Sequence, residues 1–209
     1  MPLRNRVLPD GEIVAVPARG TFMGNRGGVM HNDRREIVRP YASRQWITCV
    51  LEFKGRRRVV MSPNRYTELF FLDEATALAA GHRPCAECRR ANFNEFKEAW
   101  RRAEKLSPGE FVYAGRMDEK LHPARIGKRR EKITYDAPLR WLPDGSFIQI
   151  DGASHLVWGD ALALWSPEGY RKEIPRDDDR TVPVLTPEPI VRCLRNGYRP
   201  VVHESIYAL

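Results

Sequence analysis

Two cysteines two residues apart, Cys85 and Cys88, stand in the stretch Gly81-His82-Arg83-Pro84-Cys85-Ala86-Glu87-Cys88-Arg89-Arg90. That spacing lets both thiolates face one ion at about 2.3 Å, with Pro84 stiffening the approach. Three readings of Cys-x-x-Cys compete: half of a structural zinc site, a thioredoxin-like redox pair, and two unrelated buried thiols. No βαβ pattern surrounds the pair and Arg-Pro precedes it, which favours zinc. A structural zinc takes four protein ligands. Cys49 and Cys193 are the other cysteines, beside five histidines. Cys49 lies in the β-rich run Trp46–Phe53, where it either faces the Cys-x-x-Cys turn or serves as a small core thiol. Cys193, in Pro189–Leu194, reads as core packing. His31 follows the glycine-rich stretch 24–30 and is the expected fourth ligand. His82 is too close to Cys85 across a stiff Arg83-Pro84 link.

A second constellation carries acid/base chemistry. Asp118 and His122 are four apart, so a helix sets them side by side. A carboxylate orienting an imidazole is the start of a general acid/base unit, and Arg125 would clamp a phosphate beside it. The same pair also suits a plain surface helix, and Pro123 would break such a helix.

The residues for polyanion binding are scattered. Asn25 and Arg26 sit among Gly24, Gly27 and Gly28, where close backbone approach could hold a phosphate. No Gly-Lys-Ser/Thr ending follows, so this is not a Walker loop. Arg56, Arg57 and Arg58 decorate a turn. Arg89 and Arg90 follow the second thiol. Lys128, Arg129 and Arg130 form a basic loop suited to phosphates rather than to sequence readout. The 209-residue chain has a formal net charge of +8, which favours a polyanionic partner. Asp177-Asp178-Asp179 is an acidic run that reads as a solvated loop.

The elements that must position these groups can be read in outline. A strand is expected over Glu12–Val16. Trp46–Phe53 should pair with Arg57–Met61 across a Lys54-Gly55 turn. Asp73 is a helix N-cap ahead of Ala75–Ala80, with Gly81 as the stop. Arg89–Glu104 reads as a longer helix whose Phe93, Phe96 and Trp100 share one face, a core face rather than a stacking platform. Ser107-Pro108-Gly109 closes it. Beyond lie a hairpin (Phe147–Ile150 and His155–Trp158 around Asp151-Gly152), a strand near Ala161–Trp165, a strand Thr181–Leu185 and a helix Glu188–Asn196.

One stretch resembles a known family. Tyr66 to Arg89 holds a phenylalanine-bearing strand (Phe70, Phe71), a short alanine-rich helix, and Gly-His-Arg-Pro-Cys-x-x-Cys-Arg. This is similar to the metal-binding module that opens the Ada family of bacterial DNA-repair proteins, which has an aromatic residue where His82 stands. The likeness spans residues 24–90 and is loose from His31 to Cys49. The family's close Cys-x-x-x-Cys pair is missing, so its methyl-acceptor chemistry is not carried over. Related modules use a histidine and a cysteine instead, which His31 and Cys49 resemble. The resemblance implies Zn²⁺ held by His31, Cys49, Cys85 and Cys88, and a DNA-related role.

Together these readings give an α+β chain. Residues 1–107 form a small zinc-stabilised module with its flanking helix, and 108–209 a mostly antiparallel β half. The expected function is a zinc-stabilised protein binding nucleic acid, DNA above RNA, in repair or defence. The alternatives are an enzyme on nucleic acid using Asp118, His122 and Arg125, and a non-catalytic protein-interaction module. No membrane span or signal peptide is expected, and four cysteines with metal-like spacing suit a reducing cytoplasm.

Overall fold

The computed structural model describes residues 1–56, 59–107, 109–177 and 179–209. Short β-forming runs in the first half build one sheet. Its strands are β1 (Arg6–Val7), β2 (Ile13–Val14), β3 (Phe22–Arg26), β4 (Trp46–Cys49), β5 (Leu69–Phe71) and β6 (Arg83–Pro84). They lie in the order β2-β1-β5-β3-β4-β6. β1 runs parallel to β5 and β4 parallel to β6; the other pairs are antiparallel. Helix α1 (Glu74–Ala79) connects β5 to β6, followed by α2 (Arg90–Ala103) and α3 (Ala114–Arg125).

The second sheet is wholly antiparallel. It uses β7 (Tyr135–Pro138), β8 (Phe147–Ile150), β9 (Ala153–Trp158), β10 (Ala161–Ser166), β11 (Gly169–Pro175) and β12 (Thr181–Val184). Their order is β11-β10-β9-β8-β12-β7, and α4 (Glu188–Arg195) follows. The fold class is α+β. No helix among the described residues is long and apolar enough to cross a membrane.

Several local signals act as expected. Asp73 accepts the Thr76 N–H at 2.8 Å and caps α1. The turn between β8 and β9 puts Asp151 at φ +50° and Gly152 at φ +78°, the left-handed pair that a two-residue hairpin needs. Gly81, at φ +90°, ends the α1 turn, and a Cβ there would lie 2.6 Å from Cδ of Arg125. Strand β11 had no clear sequence signal. The expected hairpin partner of Trp46–Phe53 is not found: β4 pairs with β3 and β6, and 59–61 are not strand. Arg57, Arg58, Pro108 and Asp178 lie outside the described residues.

The hydrophobic cores draw on both sides of residue 107. Phe93, Phe96 and Trp100 of α2 pack with Met117 and Leu121 of α3 and with Ile190, Cys193 and Leu194 of α4. Leu72, Ala75 and Ala79 pack with Phe147, Leu156 and Tyr170 of the second sheet and with Leu185 just after it. Cys193 is core, as its sequence context predicts.

Two adjacent buried carboxylates bind these layers. Asp73 also accepts from the Thr76 and Tyr170 hydroxyls, each at 2.7 Å, and from the His203 N–H at 3.0 Å. Glu74 takes both guanidinium nitrogens of Arg89 at 2.8 Å, the Tyr198 hydroxyl at 2.5 Å and the Val201 N–H at 3.0 Å. Removing one partner strands a buried charge. Arg89→Met should therefore lower unfolding free energy by about 3–5 kcal/mol, read by guanidinium denaturation of the full chain. A loss under about 1 kcal/mol would place the pair among weak surface bridges.

Candidate metal centre

The meeting of Cys49 with the Cys-x-x-Cys turn follows from strand register. β4 and β6 align Ile47 with Arg83 and Thr48 with Pro84. One step further brings Cys49 beside Cys85, and the Cys85 N–H donates to the Thr48 carbonyl at 2.9 Å. The chain then turns: the Arg89 N–H reaches the Cys85 carbonyl at 3.2 Å, and the Glu87 N–H points at Cys85 Sγ at 3.4 Å. The sulfurs of Cys49, Cys85 and Cys88 all lie within 4.8 Å of one another. Cys49 and Cys85 are buried and Cys88 is half-buried.

This donor set fits a metal ion. Tetrahedral thiolates at 2.3 Å from an ion stand about 3.8 Å apart, so small shifts would seat one. The cluster also stabilises negative sulfur. Cys49 and Cys88 pull the Cys85 thiol down, to about 2, whereas Cys85 and Cys88 push Cys49 far above its ordinary value, and Cys88, pulled down by Cys49 but pushed up by Cys85 and burial, is raised. A site that holds a thiolate has the charge a cation requires.

Arg83 fixes the approach to the turn. Its Nε and Nη2 donate to the two oxygens of Asp118 at 2.9 and 2.6 Å, with both side chains buried. Its guanidinium also lies 5.6 Å from the Phe93 ring centre. Asp118 thus serves the scaffold, and the expected Asp118–His122 acid/base pair does not form. Desolvation pushes the Asp118 carboxyl up even against Arg83. His122 packs edge-on to Tyr41 at 5.2 Å, and its buried Nδ1 meets no hydrogen-bond partner among the described residues. Burial and the nearby Arg125 and Arg44 lower its pKa. Arg125 is spent elsewhere, donating to the carbonyls of Gly81 at 2.7 Å and Arg44 at 2.6 Å. α3 runs through Pro123 to Arg125; the expected break is absent.

His31 is not brought to the sulfurs. The antiparallel β3–β4 register sets Met23 opposite Cys49 and Arg26 opposite Trp46. The chain therefore moves away from Cys49 as it approaches His31. There Nδ1 lies 2.7 Å from the Thr67 hydroxyl and Nε2 3.2 Å from the Ser62 carbonyl. His82 is fully buried among aromatic rings, 4.7 Å from Phe71 and 5.2 Å from Trp46. Nδ1 meets the Ala77 carbonyl at 3.3 Å and Nε2 the Arg26 Nε–H at 3.4 Å, a pattern that suits a neutral ring.

The polyanion candidates divide by burial. Arg56, Arg90, Lys128, Arg129 and Arg130 are exposed. Asn25, Arg26 and Arg89 are buried, which removes them from any surface phosphate path. Asn25 accepts its own turn's Gly27 N–H at 2.9 Å. Arg89 is bound to Glu74, with Phe22 stacked 4.6 Å from it. Arg57 and Arg58 lie outside the described residues. Sequence reasoning missed Glu74, although Arg89 fifteen residues on was its only available signal. It also missed the β4–β6 register, which no local pattern encodes.

No protein-family model, curated protein or solved structure matches the chain.

Cys85→Ser should abolish stoichiometric metal uptake, whereas His31→Ala and His122→Ala should each keep it. Cobalt(II) substitution reads this directly, since thiolate-to-cobalt charge transfer requires the sulfurs. A His31→Ala protein that binds no metal would restore His31 as a ligand.

Proposed function

We propose that this is a zinc-thiolate protein of the Ada-like kind that binds nucleic acid, DNA in preference, along basic residues around its metal centre. The convergence of Cys49, Cys85 and Cys88 carries the reading. An all-sulfur donor set selects zinc over hard cations such as Mg²⁺. Bound zinc would tie β4 to the turn after β6, and so hold together segments 36 residues apart along the chain, from Cys49 to Cys85. Three protein sulfurs leave one position of a tetrahedron for water or an incoming ligand.

The partner is argued from charge. Arg56 flanks the turn and pairs with Glu87 at 2.8 Å, with both side chains more than half exposed. Such a pair contributes little in water, so a phosphate could take Arg56 at small cost. Arg90 stands exposed at the start of α2 beside the same turn. The net charge of +8 adds long-range attraction to a polyanion.

The test has two parts. Full-length protein purified without added metal should carry about one equivalent of zinc, as three thiolates suffice to anchor the ion. Duplex DNA binding, followed by fluorescence anisotropy, should weaken steeply with salt. Arg56→Gln with Arg90→Gln should flatten the log–log slope by about 0.9 per lost phosphate contact. Zinc-free protein would sink the metal reading. Affinity that is absent at physiological salt, with zinc present, would instead favour the protein-interaction module.

A further inference from the structure

β4 carries the metal centre at Cys49, and at its other end Trp46 lines a cavity of about 510 Å³. That size is ordinary for a small-molecule site. Its wall is apolar, with Ile13, Ile37, Val38 and Ile126. Its charge is lopsided: six cationic side chains against the two carboxylates of Asp10 and Glu12.

Three of the cations are unusual. Arg26 and Arg125 are buried, and both guanidiniums lie against the Trp46 ring, at 4.2 and 4.1 Å. Lys132 donates to the Ala79 carbonyl at 2.5 Å. Among the described residues no carboxylate bonds any of the three: Arg26 reaches carbonyls of Gly11 and Pro40, and Arg125 those of Gly81 and Arg44. Nε of Arg125 is buried without a hydrogen-bond partner among the described residues. The nearest buried carboxylate on α3, Asp118, is already held by Arg83. Two buried guanidiniums beside a half-buried ammonium, with no bonded counter-ion among the described residues, cost free energy unless an anion joins them.

We propose that this cavity binds a phosphomonoester group, with Arg26, Arg125 and Lys132 as its cationic floor. A dianion answers this surplus better than a single carboxylate does, and two guanidiniums and an ammonium supply the donors phosphate prefers. The site is separate from the metal centre and does not depend on it.

Electrostatics adds a pH signature. Burial lowers Arg26 and Arg125 to about 9, so both stay charged at neutral pH. Burial, opposed by Asp10 and helped by Arg26 and Arg125, brings Lys132 to about 7. His82, which faces Arg26, stays neutral because burial holds it well below its ordinary value. A bound dianion favours charged Lys132. Affinity should therefore be full below pH 7 on the lysine side and fall as pH rises above it, where a phosphomonoester is already mostly doubly charged.

Isothermal titration of the full chain at low salt decides the matter. The probes are inorganic phosphate, a nucleoside 5′-monophosphate and its unphosphorylated nucleoside. Single strands with a 5′-phosphate or a 5′-hydroxyl form the second arm. Binding that requires the phosphate supports the proposal, and the arm with the higher affinity identifies a free or strand-borne source. Lys132→Met should weaken binding about tenfold, as for one charge-assisted contact, and remove the fall above pH 7. Arg26→Met should weaken it further; if that variant misfolds by circular dichroism, Lys132→Met alone decides. Absence of phosphate-dependent heat at millimolar probe in both arms overturns the proposal. So does unchanged affinity in a folded Lys132→Met protein.

Discussion

Two neighbouring carboxylates, Asp73 and Glu74, hold this molecule in one piece. They sit at the start of a six-residue helix that is buried along its whole length. Burying two charges side by side is costly, and the structure offsets it by filling their lone pairs. Asp73 caps its own helix and takes a hydroxyl from β11 and an N–H from the C-terminal segment. Glu74 takes the guanidinium that follows Cys88 and a hydroxyl just beyond α4. The turn that carries the thiols and the C-terminal half are therefore anchored to the same two residues. A disturbance at the C-terminal end has a short polar path to the thiol cluster.

The candidate metal centre is positioned by equally indirect means. Cys85 reaches Cys49 because β6 lies parallel to β4, and β6 is placed by Arg83, whose side chain is clamped by Asp118 on α3. Each of the residues closest to the thiols in sequence thus has a structural partner: Arg83 with Asp118, Arg89 with Glu74, Glu87 with Arg56. Only the last of these pairs faces water. The surface charge available to a polyanion is consequently carried by fewer arginines than the sequence around the thiols displays. Arg26 and Arg125 belong to a different environment, a cation-rich cavity at the far end of β4, where no carboxylate among the described residues bonds them.

Local patterns in the chain were dependable where the physics is local. Asp73 before an alanine run, Asp151-Gly152 between two β-forming runs, and the Phe93, Phe96, Trp100 stripe each specify their element through short-range hydrogen bonds or periodicity. Cys-x-x-Cys likewise specifies a turn with two converging sulfurs. The misplacements were of another kind. Asp118 and His122 are one helical turn apart, yet the carboxylate finds a stronger partner in Arg83, thirty-five residues earlier. His31 looked like a ligand by its glycine-rich approach, but antiparallel pairing carries it away from the sulfurs.

The amino-acid order by itself determined the thiol pair, the helix caps, the α+β character and the surplus of positive charge. These depend on residue type and on spacings of a few positions. Tertiary structure alone decided that Cys49 joins the pair without His31, that Arg89 is internal, and that Arg26, Arg125 and Lys132 gather around one cavity. Each of those outcomes turns on sheet register or on competition among distant charges. Such choices minimise the free energy of the whole packed chain, so no short window of sequence contains them.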